Sequence, residues 1–318
     1  MGKPLIETVG LKKYFHTPKG TLHAVDNVNI RIEEGQTLGV VGESGCGKST
    51  LGRTVLRLIE PTAGDILFDG KNVADLDRRQ LKQMRSEMQL IFQDPFSSLN
   101  PRMTVSETIA EPMKLAGLYK SKAERLERVF ALMQTVGLAE RYINTYPHEL
   151  DGGRRQRIGI ARALAMSPRF IVCDEPVSAL DVSIQAQILN LMMDLQENMG
   201  LTYMFITHDL SVVKHISNHI AVMYLGQCVE MAPTDELFEH PTHPYTQALL
   251  EAIPIPSLDH RKEMKVIKGE VTSPIHPHPG CRFAPRCPYA TKKCTQRDLE
   301  LQEISAGHYL SCVLYGES

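Results

Sequence analysis

The sequence contains no long apolar run. Its first ten residues offer no apolar core of signal-peptide length, and no later window reaches the roughly 18 uninterrupted apolar residues that a membrane span requires. Neither a secretion leader nor a membrane-crossing helix is expected, and the chain is expected to stay in the cytosol. An excess of charge of one sign is also missing: 35 lysines and arginines face 37 aspartates and glutamates, for a formal net charge of -2. Such a chain has no global field to recruit nucleic acid or an anionic membrane surface, so either partner would have to be met by local features. Internal repeats and low-complexity tracts are absent. With 42% hydrophobic and 23% charged residues over 318 positions, the composition argues against disordered and fibrous classes and fits one large domain plus a small one. Seven cysteines are present. In a reducing compartment they are not expected to form structural disulfides, so the four that gather late in the sequence need another explanation.

Two alternating stretches, Leu5 to Leu11 and Ala24 to Ile32, predict strands of an edge β-sheet. Thr37 to Val41 is a largely apolar run suited to a buried central strand, and it leads straight into a glycine-rich loop. A helix is expected from about Lys48 to Ile59, a hairpin around Gly64 to Gly70, and a strand from Met88 to Phe92. From Thr104 to Tyr142 the pattern has helical period, with Leu126, Phe130, Leu132 and Met133 between charged positions, and predicts an inserted helical subdomain at about 95–165. The α/β pattern resumes with a helix from Gly153 to Ala165, a buried strand at Phe170 to Cys173, an amphipathic helix carrying Ile184, Ile188, Leu191, Met192 and Leu195, and a strand at Thr202 to Thr207. This alternation argues for a mostly parallel sheet covered on both faces. Beyond Ala252, Pro254, Pro256, Pro274, Pro277 and Pro279 forbid long helices and mark a linker into a loop-rich end. The expected division is residues 1–252 as the main domain and 253–318 as an extension.

Gly42-Glu43-Ser44-Gly45-Cys46-Gly47-Lys48-Ser49 fits G-x-x-x-x-G-K-S/T in a strand-loop-helix context. Its glycines let backbone N–H groups wrap a β-phosphate while the helix N-terminus adds favourable dipole charge. Lys48 is placed to reach the β- and γ-phosphates, Ser49 to give its hydroxyl to Mg²⁺, and the loop runs on to Thr50. The bland alternative is a glycine turn with a chance Lys-Ser. A second element, Phe170-Ile171-Val172-Cys173-Asp174-Glu175, is a buried strand that delivers Asp174 toward Mg²⁺, with Glu175 next to it to polarise an attacking water.

With these residues in this order, the chain resembles the ATPases of ABC transporters over nearly its whole length. The resemblance implies a P-loop nucleotide-binding domain with an antiparallel β-subdomain and a helical subdomain, followed by a small loop-rich C-terminal extension. It implies further roles: Gln93 as the Q-loop glutamine that also reaches Mg²⁺, Ser178-Ala179-Leu180-Asp181 as the D-loop, and His208 as the switch histidine. Phe15 would stack on adenine, with Tyr14 the competing choice. Singly, each such residue is more often packed or solvated than functional. Together they imply a head-to-tail ATPase dimer whose closure on ATP drives membrane subunits between two states.

The family signature Leu-Ser-Gly-Gly-Gln is replaced by Leu150-Asp151-Gly152-Gly153-Arg154. The resemblance places Asp151, Gly152 and Gly153 against the γ-phosphate held by a partner ATPase. Asp151 can cap the following helix as serine does. Its charge is another matter, since two unit charges about 4 Å apart at an effective dielectric of 20 repel by roughly 4 kcal/mol. Arg154 and Arg155 would offset part of this, and harmless variation is the bland alternative. The expectation is a poorly hydrolysing composite site at this signature beside an active one at Lys48, Asp174, Glu175 and His208. Such asymmetry favours a heterodimer.

Gln93 to Arg102, Asp174 to Ser183 and His243-Pro244-Tyr245-Thr246 resemble the oligopeptide/dipeptide importer branch, and within it the F-type of two paired ATPases. That implies a second, D-type ATPase, two transmembrane permeases, an extracytoplasmic substrate-binding protein, no nucleic acid, and a peripheral place on the cytoplasmic face of the membrane. The same branch includes nickel and glutathione importers; a soluble ABC ATPase acting on nucleic acid or ribosomes, and a catalytically dead regulatory subunit, are the rivals from other classes. Cys281-x5-Cys287-x6-Cys294-x17-Cys312 offers four thiolates on a tail that cannot bury much core. The spacing resembles the extension of peptide-importer ATPases, some of which carry a 4Fe-4S cluster; zinc and unliganded thiols are the alternatives. Cys46, Cys173 and Cys228 are expected to be packing residues.

Overall fold

The computed structural model describes residues 3–94, 96–253 and 273–315. Pro95, Pro254 and Pro256 of the motif and linker above lie outside the described residues. In chain order the elements are β1 (Pro4–Thr17), β2 (Gly20–Glu33), β3 (Thr37–Val41), α1 (Lys48–Val55), β4 (Ala63–Phe68), β5 (Lys71–Asn72), α2 (Arg78–Glu87), β6 (Met88–Ile91), α3 (Val105–Ala116), α4 (Lys122–Thr135), α5 (Gly152–Leu164), β7 (Phe170–Asp174), α6 (Val182–Met199), β8 (Thr202–Ile206), α7 (Leu210–Ile216), β9 (His219–Tyr224), β10 (Gln227–Pro233), α8 (Thr234–Glu239), α9 (Pro244–Glu251), β11 (Gln302–Ser305) and β12 (His308–Leu310). They fall into two compact units, one of residues 1–75 with 205–318 and one of residues 76–204. Among the described residues no helix is long and apolar enough to cross a membrane.

In the first unit, β1 and β2 form a long antiparallel hairpin closed at Thr17 and Gly20, and β4 then β5 extend it in the order β2-β1-β4-β5. The two expected strands lie within two 14-residue strands, broken by register shifts that bend the ribbon. All five residues of β3 are buried, and β3 pairs in parallel with β9. The helix after the glycine-rich loop stops at Val55 rather than Ile59 because Arg57 takes a left-handed conformation (φ 48°). Its N–H returns to the Thr54 carbonyl and that of Leu58 to the Arg53 carbonyl, which satisfies the last turn.

β10 pairs with β9 and with β12, and β12 with β11, so the loop-rich end contributes strands of its own to this unit. Phe283 is 1% exposed, within a core of Val41, Leu210, Val222, Tyr224 and Tyr245. Glu230 is fully buried and accepts from the Thr242 N–H (2.8 Å) and the His243 N–H (3.0 Å), while His308 Nε2 lies 2.8 Å away. One carboxylate therefore ties the start of α9 and the last strand to β10.

In the second unit β6 pairs in parallel with β7, and β8 follows β7. Helices α3, α4 and α5 pack against one another, and α6 packs on α5. Their starts are capped locally: Thr104 with Glu107 and Ser121 with Glu124 form capping boxes, and Asp181 caps α6. Helix α2 has no counterpart in the periodicity because only Met84 of its ten residues is buried. A helix without an apolar stripe leaves no period to read.

Candidate functional site

The first unit carries the glycine-rich loop, between β3 and α1. Gly42 (φ 151°) and Gly47 (φ 103°) sit where a Cβ would lie 2.1 Å from the Met223 carbonyl oxygen and 2.0 Å from that of Ala24. Neither position accepts a side chain, whereas around Gly45 the space is open and Ser44 is exposed. Lys48 is 5% exposed, and its Nζ donates to the carbonyls of Gly42 (2.7 Å) and Glu43 (2.9 Å). A buried ammonium held by neutral carbonyls is suited to an anion. Gly47 brings no side-chain cap to α1, so the first N–H groups of that helix face the same loop. Ser49 and Thr50 occupy its first turn. Cys46 is buried beside Lys48, and burial pushes its thiol upward. These residues fit a polyphosphate with its Mg²⁺: glycines with no room for side chains, a helix start without a side-chain cap, one buried cation and a hydroxyl.

Tyr14 and Phe15 differ in what they already do. The Tyr14 ring stacks on His23 at 3.9 Å, and its hydroxyl donates to Asp26. Burial, followed by that hydrogen bond, pushes the Tyr14 phenol well above its ordinary range. Phe15 is half-buried, with Lys13 Nζ 4.9 Å from its ring centre. His208 is exposed at the end of β8; the preceding Thr207 N–H donates to the Val40 carbonyl of β3 (3.1 Å), and the following Asp209 caps α7.

The second unit carries the carboxylates. β7 is buried throughout and ends on Asp174, 2% exposed. Glu175 has φ 47°, a left-handed backbone uncommon for a residue with a side chain. Its Oε2 accepts from Gln93 Nε2 at 2.8 Å, so two residues 82 positions apart meet. At the start of α5, Asp151 accepts the Arg154 N–H at 2.8 Å, which is the cap expected of it. Its other oxygen pairs with the Arg154 guanidinium, which lies 5.1 Å from the Tyr142 ring centre. Arg155 is engaged elsewhere, donating to the carbonyls of Pro147 (2.6 Å) and His148 (3.1 Å). A Cβ on Gly153 would lie 2.6 Å from Ile184 Cγ2, so this glycine sets how closely α5 approaches α6.

Cys281, Cys287, Cys294 and Cys312 line one cavity, with His243, Phe283, Leu299 and Val313 among its walls. Among the described residues no three His, Cys, Asp or Glu side chains close on a single metal ion. The thiols are walls of a shared space, and burial pushes Cys281 up to about 11, with Cys287 and Cys312 also raised by burial. Cys173 and Cys228 are buried in strands, as expected of packing residues.

Motif reading does not find Tyr245, whose hydroxyl accepts the Glu43 N–H of the loop at 2.9 Å. The run His243 to Thr246 hints at it, but without a reason.

Residues 25–178 match the model of the ABC transporter family, and residues 229–294 that of the oligopeptide/dipeptide transporter C-terminal region. The oligopeptide transport ATP-binding protein OppF of Bacillus subtilis is 50% identical over 98% of this chain and 97% of its own length. OppF of Salmonella typhimurium is 51% identical over 95% and 91%. Among solved structures, a dimeric post-hydrolysis state of the ATP-binding cassette MJ0796 bound to ADP and Pi superposes with a TM-score of 0.66 at 31% identity, covering 72% of this chain and 98% of that one.

Proposed function

Because this chain belongs to the ABC transporter family of ATPases, in its oligopeptide/dipeptide branch, we propose that it is the F-type ATP-hydrolysing subunit of a peptide importer. The observation that carries this is Lys48, a buried ammonium on neutral carbonyls at the head of an uncapped helix. In this reading the loop from Gly42 to Thr50 binds the phosphates and Phe15 takes the base, since the Tyr14 ring is already stacked on His23. Ser49, Gln93 and Asp174 hold Mg²⁺, which neutralises phosphate charge when bound. Glu175 orients the attacking water and takes its proton, Gln93 fixes the Glu175 carboxylate, and His208 completes the site. Residues 1–252 form the ATPase domain and 253–318 its extension.

The relative solved as a dimer with ADP and Pi supports a paired arrangement. Asp151, Gly152 and Gly153 would then face the ATP of a second, D-type ATPase, with two permeases and a substrate-binding protein completing a complex on the cytoplasmic membrane face. Oligopeptides are the cargo class that the two OppF relatives support. The four cysteines hold a 4Fe-4S cluster; the shared cavity supports this reading, and iron-free, colourless protein from anaerobic purification would refute it. For the ATPase itself, calorimetric titration of the purified chain with Mg-ATP should show saturable binding that Lys48→Ala removes. Glu175→Gln should stop turnover of the assembled complex while leaving binding intact. Unchanged turnover in both variants would refute the assignment.

A further inference from the structure

We propose that Arg286, in the extension, is a positioning residue for the phosphate loop: its guanidinium neutralises and holds the Glu43 carboxylate, so that no bare negative charge stands beside the bound phosphates. This rests on the ATP-binding reading above. Glu43 is the second residue of the loop and is held at three points. Its N–H donates to the Tyr245 hydroxyl (2.9 Å), its carbonyl accepts from Lys48 Nζ (2.9 Å), and its carboxylate receives two parallel bonds from Arg286 (2.9 and 3.1 Å). The Arg286 side chain is 7% exposed and that of Glu43 26%, so the pair is largely shielded from water.

Arg286 is itself braced. It donates to the Tyr224 hydroxyl at 3.2 Å and lies 5.8 Å from that ring centre. Earlier in the same segment Arg282 bonds to the Leu225 carbonyl and to Asp26, and Phe283 packs against Tyr224 and Tyr245, each at 5.3 Å between ring centres. The stretch from Cys281 to Cys287 is thus pinned at both ends, and the fork of Arg286 meets Glu43 with little rotamer freedom left to lose. A bidentate guanidinium matches a carboxylate in geometry and charge. Removing it strands a partly buried carboxylate on a loop whose ligand is a polyanion.

Two properties separate this role from mere structural support. Loss of Arg286 acts on nucleotide affinity, and removal of the Glu43 charge repairs it. With the full-length chain, Arg286→Ala should weaken Mg-ATP binding about tenfold. Adding Glu43→Gln should return affinity to within about threefold of the parent. In the assembled complex Arg286→Ala should raise KM for ATP far more than it lowers kcat, and adding Glu43→Gln should bring KM back toward the parent. Parental affinity in Arg286→Ala, or no recovery on adding Glu43→Gln, would overturn the proposal. Should the alanine variant fail to fold, Arg286→Gln, which keeps the stem packing, enters the same cycle with the same expected and refuting results. Lys48→Ala is measured alongside. If it abolishes binding while the Arg286 cycle shows nothing, this proposal alone falls; if it binds normally, the reading of the loop falls with it.

Discussion

Arg154→Gln should slow ATP turnover at the altered signature, and Asp151→Ser should speed it. A bare Asp151 carboxylate about 4 Å from a phosphate charge would cost roughly 4 kcal/mol at an effective dielectric of 20. The structure does not leave it bare: Arg154 pairs with its outer oxygen. A cation about 6 Å from the same phosphate returns roughly 3 kcal/mol, which leaves a residual of about 1 kcal/mol. Asp151 is 54% and Arg154 44% exposed, so solvent roughly halves both opposing contributions. Removing Arg154 alone then restores about 1.5 kcal/mol of repulsion, some tenfold in rate at that site. Asp151→Ser, which still caps α5 and frees the cation, removes about 2 kcal/mol of repulsion and should raise turnover at that site by roughly thirtyfold, and the double change Asp151→Ser/Arg154→Gln should stay within about fivefold of the parent. The assay is ATP turnover of the reconstituted transporter with its partner ATPase. If Arg154→Gln turned over within twofold of the parent, the charge-compensation argument would be wrong.

The loop makes its own demand on backbone space. Gly47→Ala must place a Cβ 2.0 Å from the Ala24 carbonyl oxygen at φ 103°, and should cost about 3 kcal/mol or more in urea unfolding along with Mg-ATP binding; a variant with parental stability and affinity would contradict it. His243 gives a pH dependence. Burial lowers it from an ordinary 6.5 to about 3, so it stays neutral in the fold and takes up its proton only on unfolding. The stability this contributes is complete above about pH 6.5 and lost as pH falls toward 3, a loss of about 2 kcal/mol by pH 5. His243→Asn, which can still cap α9 in place of the ring nitrogen that accepts the Tyr245 N–H, should flatten that slope in urea titrations; an unchanged slope would remove His243 as its source.

The contiguous motifs were readable because their conformational demands are local. Glycines at 42, 45 and 47 followed by Lys48 specify a loop and a helix start within nine residues, and Asp151 specifies a cap three residues before its N–H donor. The amphipathic stripe of α6 and the apolar runs of β3 and β7 likewise announced themselves by period. By contrast, α2 was invisible because its face is solvated, and α1 ended early through one left-handed arginine that propensity does not anticipate.

What the amino-acid order determined by itself is the inventory: a nucleotide loop, a strand ending in two carboxylates, an altered signature with its cap, and four thiols. Only the tertiary structure decided the pairings between distant positions. It joined Gln93 to Glu175, 82 residues on, and Arg286 to Glu43, 243 residues back, gave Asp151 to Arg154 and not to Arg155, and gathered four unevenly spaced cysteines around one cavity. The physical reason is range. Backbone conformation and capping are set by neighbours within a turn or two, whereas a charge finds its partner only after burial has brought distant chain segments within hydrogen-bonding distance.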